Sequence, residues 1–530
     1  MRIIRDSLLV SGFLVCALSV VLAADKGDSP SKKPKGKITI GKETTYATGP
    51  LDKDGYIDYA AALNERLGKG VTPANNANVL IWKALGPRPE GGRGMPAEFF
   101  KLMGIQEPPA KGDYLIEFFR YRKEVLKIEM RQVGEDIFDR HGRVTQAPWT
   151  PKDHPDFASW LKANEKPLAV LREATRRTHY FSPLVPSTTG NGSAGLVTAL
   201  LPAVQRCREA AHAFTARAML RAGEGKYEAA WQDLLSCHRL GRLVGRGATL
   251  IEGLVGLAIE SIAAQADVVF LASARLDAKQ IEKCLSDLRK LPPLPGMADK
   301  VDLCERFTFL EAITLLDRHG LKYARVLAGL GGVGLPDVPE PILEAALKDV
   351  DWDVGLKNAN RWYNRLSAAM RGKDRASREQ ALNQMDSELK ALKKKIGQSD
   401  LAQLVKADKK ARGKAIGDVL IALLIPAVQK VATAGDRVGQ IDTNLHLAFA
   451  LAWHRADKGS YPKKLDDLAP KYLKEIPLDV FSGRALIYRP SKNGYLLYSV
   501  GVNGIDEQGR SYGDMPPGDD LSVRMRPRDK

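Results

Sequence analysis

IGDVLIALLIPAVQ (416–429) and LHLAFALAWHRADKG (445–459) run into SYPKKLDDLAPKYLKEIPLDVFSGRALIYRPSKNGYLLYSVGVNGIDEQG (460–509). The apolar residues of the first two segments recur at helical spacing and predict one long helix. A short helical turn follows at KKLDDL, then a loop pinned by Pro470 and Pro477. ALIYR and GYLLYSV, separated by PSKN, read as strands of a small antiparallel sheet. This C-terminal stretch, 416–530, is therefore an α+β unit.

Upstream, the chain reads as mainly α. Aromatics are sparse at 7%, while Ala, Leu, Lys and Arg abound, which favours helix over an all-β fold. The strongest block is 196–273, where two helices flank Gly223-Glu224-Gly225. That hairpin resembles one tetratricopeptide-type repeat, but such folds need three or more copies to bury a core. The next helix, LIEGLVGLAIESIAAQADVVFLA, carries Glu252, Glu260 and Asp267 and so reads as a core helix rather than a membrane span. A further hairpin covers 277–319, and LAGLGGVGLPDVPEP (327–341) is a natural joint. Two short helices are expected between Tyr56 and Leu85, the second starting at Thr72-Pro73, and one helix from Pro155 to Thr178. Between the N-terminal helices and the main block lies HYFSPLVPSTTGNGS (179–193), a long irregular loop. LLPAVQ (200–205) is echoed by LIPAVQ (424–429).

At 530 residues two or three domains are the prior. The divisions read here are 1–24, a signal peptide or N-terminal anchor; 25–45, a polar linker; 46–190, an N-terminal helical region; 191–370, a hairpin body; 371–415, a basic helical arm; and 416–530. MRIIRDSLLVSGFLVCALSVVLAA has the basic start, apolar run and small-residue end of an export signal, and an uncleaved anchor stays open. Export would place the protein in the periplasm or outside the cell. A net charge of +17 would there favour anionic membrane or cell-wall surfaces. The most basic tract, Arg371 to Lys414, reads as an exposed arm. It contains no aromatic residue on which a base could stack, which argues against nucleic acid.

Export also makes disulfides admissible for Cys207, Cys237, Cys284 and Cys304. The return of a helical hairpin could bring together Cys207 with Cys237, and Cys284 with Cys304. The other reading is four buried thiols. No C-x-x-C is present, so neither a zinc knuckle nor a thioredoxin-like centre is supported.

Tyr461-Pro462, the turn Pro477-Leu478-Asp479-Val480-Phe481-Ser482-Gly483 and the loop Tyr498-Ser499-Val500-Gly501-Val502-Asn503-Gly504 carry a resemblance. In that order they resemble the C-terminal head of the type II secretion major pseudopilin. The remainder resembles a family of planctomycete envelope proteins that brings no activity with it. The pseudopilin resemblance implies a calcium site in the last loop, where Asp506, Glu507, Asp514, Asp519 and Asp520 supply oxygens. The spacing is not an EF-hand, and an acidic surface loop is the alternative. A true pilin begins with its hydrophobic helix, whereas here the comparable helix is internal, so the head would serve as an interaction module.

Catalytic signatures are thin. No H-E-x-x-H, G-x-S-x-G or P-loop occurs. His446 and His454 lie two turns apart on one helix, about 12 Å, too far for joint ligation. Glu252 with Glu260, and Glu305-Arg306 with Glu311, are the carboxylates that could line a cleft or neutralise arginines. The expectation is a non-enzymatic envelope scaffold that binds envelope proteins, secretion or pilus components among them. The alternatives are a periplasmic hydrolase with its cleft near 179–193, and a calcium-stabilised, adhesin-like head.

Overall fold

The computed structural model describes residues 38–525 apart from 92–93, 129–135, 190–191, 194, 331–339, 399–400 and 426–427. The signal-like segment, most of the linker, most of the Gly/Pro joint and the Pro426-Ala427 of LIPAVQ lie outside the described residues. The chain is mainly helical with a small antiparallel sheet near its C-terminal end.

Among the described residues seven short helices come first: α1 (Tyr59–Gly68), α2 (Ala77–Leu85), α3 (Ala97–Leu102), α4 (Phe118–Glu124), α5 (Asp136–Gln146), α6 (Pro155–Ala163) and α7 (Glu165–Ala174). α2 starts at Ala77, later than Thr72-Pro73 suggests, because the Asn76 side chain accepts the Asn78 N–H and caps it there. The single helix expected from Pro155 is broken at Asn164. That side chain leaves the helix pattern to bond both the N–H and the C=O of Ile116, at 2.9 and 3.0 Å. A two-residue ribbon, β1 (Thr188–Thr189) with β2 (Gly192–Ser193), closes the loop that follows.

Then come α8 (Pro202–Gly223), α9 (Tyr227–Val244) and α10 (Leu250–Ser273), which pack on one another. Pro202 sits in the first turn of α8, where its missing N–H costs nothing. Thr249 and Glu252 form a capping box on α10, as do Asp277 and Gln280 on α11 (Ala278–Arg289). α10 is apolar and long enough to span a membrane, yet it lies between α8, α9 and the last long helix as a core element. Helices approach closely at glycine: a Cβ on Gly256 of α10 would meet Gly241 O of α9 at 2.7 Å.

The chain continues through α12 (Met297–Lys300), a π turn (Val301–Glu305) and α13 (Arg306–His319) to α14 (Leu321–Leu330), α15 (Glu340–Leu347) and α16 (Trp352–Met370). The basic tract forms α17 (Arg375–Gly397), α18 (Leu401–Lys406) and the start of α19 (Lys409–Leu424). It is not a free arm. Leu382 and Met385 of α17 are buried, and α17 and α19 both pack on α16. Only the outer face, with Lys390, Lys393, Lys394 and Lys410, is exposed. The apolar positions of α17 recur at three and four, and that stripe needed a partner.

The one helix expected over 416–459 is two: α19 ends at Leu424, where Ile425 turns extended ahead of Pro426, and α20 (Val428–Lys458), 31 residues, follows. It leads through a 3₁₀ turn (Leu465–Leu468) to β3 (Ile487–Pro490), β4 (Tyr495–Ser499) and β5 (Leu521–Met525), ordered β3-β4-β5 and antiparallel. Two hydrophobic cores result. One joins residues between Ala77 and Leu288 to Leu445–Leu451 and the sheet. The other joins α1, α13, α16, α17 and α19 to Val428, Val431 and Val438. α10 and α20 contribute to both.

Candidate functional site

The head is built around Asp479. The turn Pro477–Gly483 delivers this carboxylate into the interior, 2% exposed, where it accepts four hydrogen bonds. Two come from its own turn, Phe481 N–H and Ser482 Oγ at 2.9 Å each. Two come from the end of β4, Ser499 Oγ at 2.7 Å and Val500 N–H at 3.3 Å. One side chain thus ties the Pro477–Gly483 turn to the end of β4.

Beyond β4 the loop folds back on itself through a second carboxylate set. Glu507, Asp519 and Asp520 each place an oxygen so that the three lie within 4.8 Å of one another. Asp519 Oδ2 accepts from Val502 and Asn503 N–H, and Asp520 Oδ2 from Glu507 and Gly509 N–H. The second oxygen of each, Asp519 Oδ1 and Asp520 Oδ1, is buried without a hydrogen-bond partner. Asp520 is 1% exposed, and burial together with the neighbouring Glu507 and Asp506 carboxylates holds its proton affinity above the ordinary range. Gly501 is obligatory here, because a Cβ would stand 2.2 Å from Asp519 Oδ1. Two orphaned carboxylate oxygens beside a third carboxylate suit a hard cation, for which oxygen is the preferred ligand. Glu507, Asp519 and Asp520 would hold it.

The other two expected ligands do not join them. Asp506 accepts from Tyr498 Oη and Gln508 N–H and faces Arg489. Asp514 is held by both Nη atoms of Arg524, at 2.7 and 2.6 Å, and that pairing keeps it well below the usual carboxylate range.

The four cysteines are free thiols, all buried, and the hairpin pairings are not formed. Cys237 faces the carbonyls of Ala211 and Ile259, so across the hairpin it meets Ala211, one turn beyond Cys207. Cys284 and Cys304 belong to different hydrophobic cores. Burial pushes the thiol pKa of Cys207 up to about 12, which leaves it inert.

The carboxylates of the body meet partners rather than open space. Glu260 binds His238 Nδ1 at 2.9 Å and Arg242 Nε at 2.8 Å, and Arg242 continues to Asp442 of α20. His238 Nε2 meets Asp267 at 3.0 Å. Burial opposes charge on this imidazole, but Asp267 and Glu260 together outweigh it and raise the pKa to about 10. The Glu252 carboxylate accepts the Thr249 N–H and Oγ1 at the start of its own helix and also receives Tyr180 Oη. Glu311 accepts the Leu196 N–H, and Arg306 is held by Asp302 and Asn364. His446 and His454 bond the carbonyls of Asp442 and Ser460 separately.

An open cleft of about 520 Å³ does lie beside the 179–193 loop, between α1, α3 and the extended run 181–186. None of Glu252, Glu260, Glu305 or Glu311 lines it. Its floor is fixed by two asparagines absent from the sequence reading. Asn76 bonds both the N–H and the C=O of Phe181, and Asn64 does the same for Leu184. The one signal was polar amides set among apolar positions, as in Leu63-Asn64 and Asn76-Ala77-Asn78.

Comparison with protein-family models, curated proteins and solved structures finds no match for this chain.

Proposed function

We propose that this chain is an exported envelope scaffold whose helical body docks partners and whose C-terminal head is a pseudopilin-like interaction module closed by calcium. The observation that carries the reading is the Asp479 knot with the adjoining trio of Glu507, Asp519 and Asp520. It joins two of the three motifs on which the pseudopilin resemblance rests and leaves two carboxylate oxygens for a cation. Binding rather than hydrolysis is supported by the body carboxylates: Glu260 pairs with Arg242, Glu252 caps its own helix and Glu311 holds the Leu196 N–H. The exposed lysines of α17 supply a face for an anionic membrane or wall polymer.

The test is cross-linking in the producing cell, followed by mass spectrometry of what the full chain captures. Recovery of secretion or pilus components is the expected result. Recovery of wall fragments or small metabolites alone would overturn the scaffold reading in favour of the hydrolase. The cleft beside the 179–193 loop is the feature that favours that rival.

A further inference from the structure

The cleft between α1 and the 181–186 run has an apolar floor and an acidic rim. Phe181, Leu184 and Val185 form the floor, with both backbone groups of Phe181 and Leu184 already satisfied by Asn76 and Asn64. Asp58, Glu65 and Glu98 stand on the rim with Lys69, and Glu98 also pairs with Lys101 at 3.8 Å, which leaves the rim net acidic. On a chain of net charge +17 this is an acidic depression in a basic molecule. It therefore selects a cationic, extended occupant over an anionic one.

The chain itself carries such a segment. DKGDSPSKKPKGK (25–37) has five lysines and two aspartates, and its Pro30 and Pro34 favour an extended backbone. It joins the described structure at Ile38. Thr39 N–H is held by Asp353, and Thr44 Oγ1 donates to Thr39 O. Tyr59 Oη donates to Thr45 O at 3.0 Å, which ties this end of the chain to α1, the helix that forms one wall of the cleft. Thirteen extended residues reach about 45 Å, on the order of a domain's diameter.

We propose that residues 25–37 dock in this cleft, their lysines on the Asp58/Glu65/Glu98 rim and their prolines on the Phe181/Leu184 floor. The segment stays attached whether or not 1–24 are removed. Because it is tethered, it acts at high effective concentration, and any foreign cationic peptide must compete with it.

The full chain provides the test, since its four cysteines in the body are buried and an introduced thiol can be labelled selectively. In a Cys16→Ala background, Lys33→Cys is coupled to a photo-cross-linker and irradiated. Cross-links within one chain to peptides 58–71 or 98–103 are expected. Raising salt to about 0.5 M should cut their yield roughly threefold, because exposed charges are then screened within a few ångströms. The Glu65→Lys/Glu98→Lys variant, altered only at exposed positions, should lose them while melting like the parent. Cross-links elsewhere, cross-links between two copies, or a yield indifferent to salt and charge reversal would each overturn the proposal.

Discussion

Asp479 and Asp520 are both buried carboxylates in the head, and they differ in how many of their oxygens are engaged. Both oxygens of Asp479 are bonded, so Asp479→Ala strands Ser499 Oγ and Val500 N–H in the interior. A loss of about 3 kcal/mol in urea unfolding is expected, with β4 the first strand to lose amide protection. Asp520 keeps one oxygen unpartnered. Calcium at a hundred times its dissociation constant should therefore stabilise the full chain by about 2.7 kcal/mol, and chelation should remove the gain. Asp520→Asn should abolish that calcium response, while Asp514→Asn, outside the trio, should preserve it; an unchanged melting temperature in calcium would refute the site. His238 sets a pH dependence of its own. Its folded pKa of about 10 lies above the unfolded 6.5, so its stabilisation is whole below pH 6.5 and is lost as pH rises towards 10. Burial raises Glu305 and Glu311 to about 7, which likewise favours the folded state at the lower pH, over the window from 4.5 to 7. Unfolding free energy should fall between pH 6.5 and 9.5, and the His238 ring protons should not titrate between pH 6 and 8.5 by NMR.

At the scale of elements, the helices and their order were legible because apolar spacing, capping residues and prolines act locally. Thr249 with Glu252, Asp277 with Gln280 and Pro202 mark their helices in sequence as they do in space. The loops were not legible, because their conformation is imposed from afar. Asn64, Asn76 and Asn164 each take both backbone groups of a residue distant in sequence, and an asparagine gives no local sign of its partner. The candidate calcium loop was half legible for the same reason: five acidic residues were visible, but which of them faced Arg524 or Tyr498 depends on the return of β5. Helix crossings follow a third rule, close approach at glycine. A Cβ on Gly413 of α19 would stand 2.0 Å from Asp351 O at the start of α16. Gly413→Ala should cost about 1–3 kcal/mol by overpacking, measured by urea unfolding. Gly397→Ala, with nothing within 4 Å, is the control and should be neutral or slightly stabilising.

Across the whole molecule, the two cores ignore the divisions read from sequence. Residue 416 falls inside α19, and the C-terminal half of α20 fills a core whose other walls come from α2, α8, α9 and α10. The fragment 416–530 would strip Phe449 of its ring neighbour Trp231 of α9, 5.6 Å away, and uncover Leu445 one turn earlier on the same face, both 1% exposed or less in the full chain. It should bind a hydrophobic dye and show no cooperative melt. A sharp transition in that fragment would show that the head folds alone. α20 is about 46 Å long and anchors one core at Val428–Val438 and the other at Leu445–Leu451. This bears on how such a chain can be inherited. A recombination breakpoint before the head would sever a helix and unroof both cores at once. Descendants that swap heads should therefore be rare, and those that survive should carry α10 and α20 together, exchanged as one length of gene.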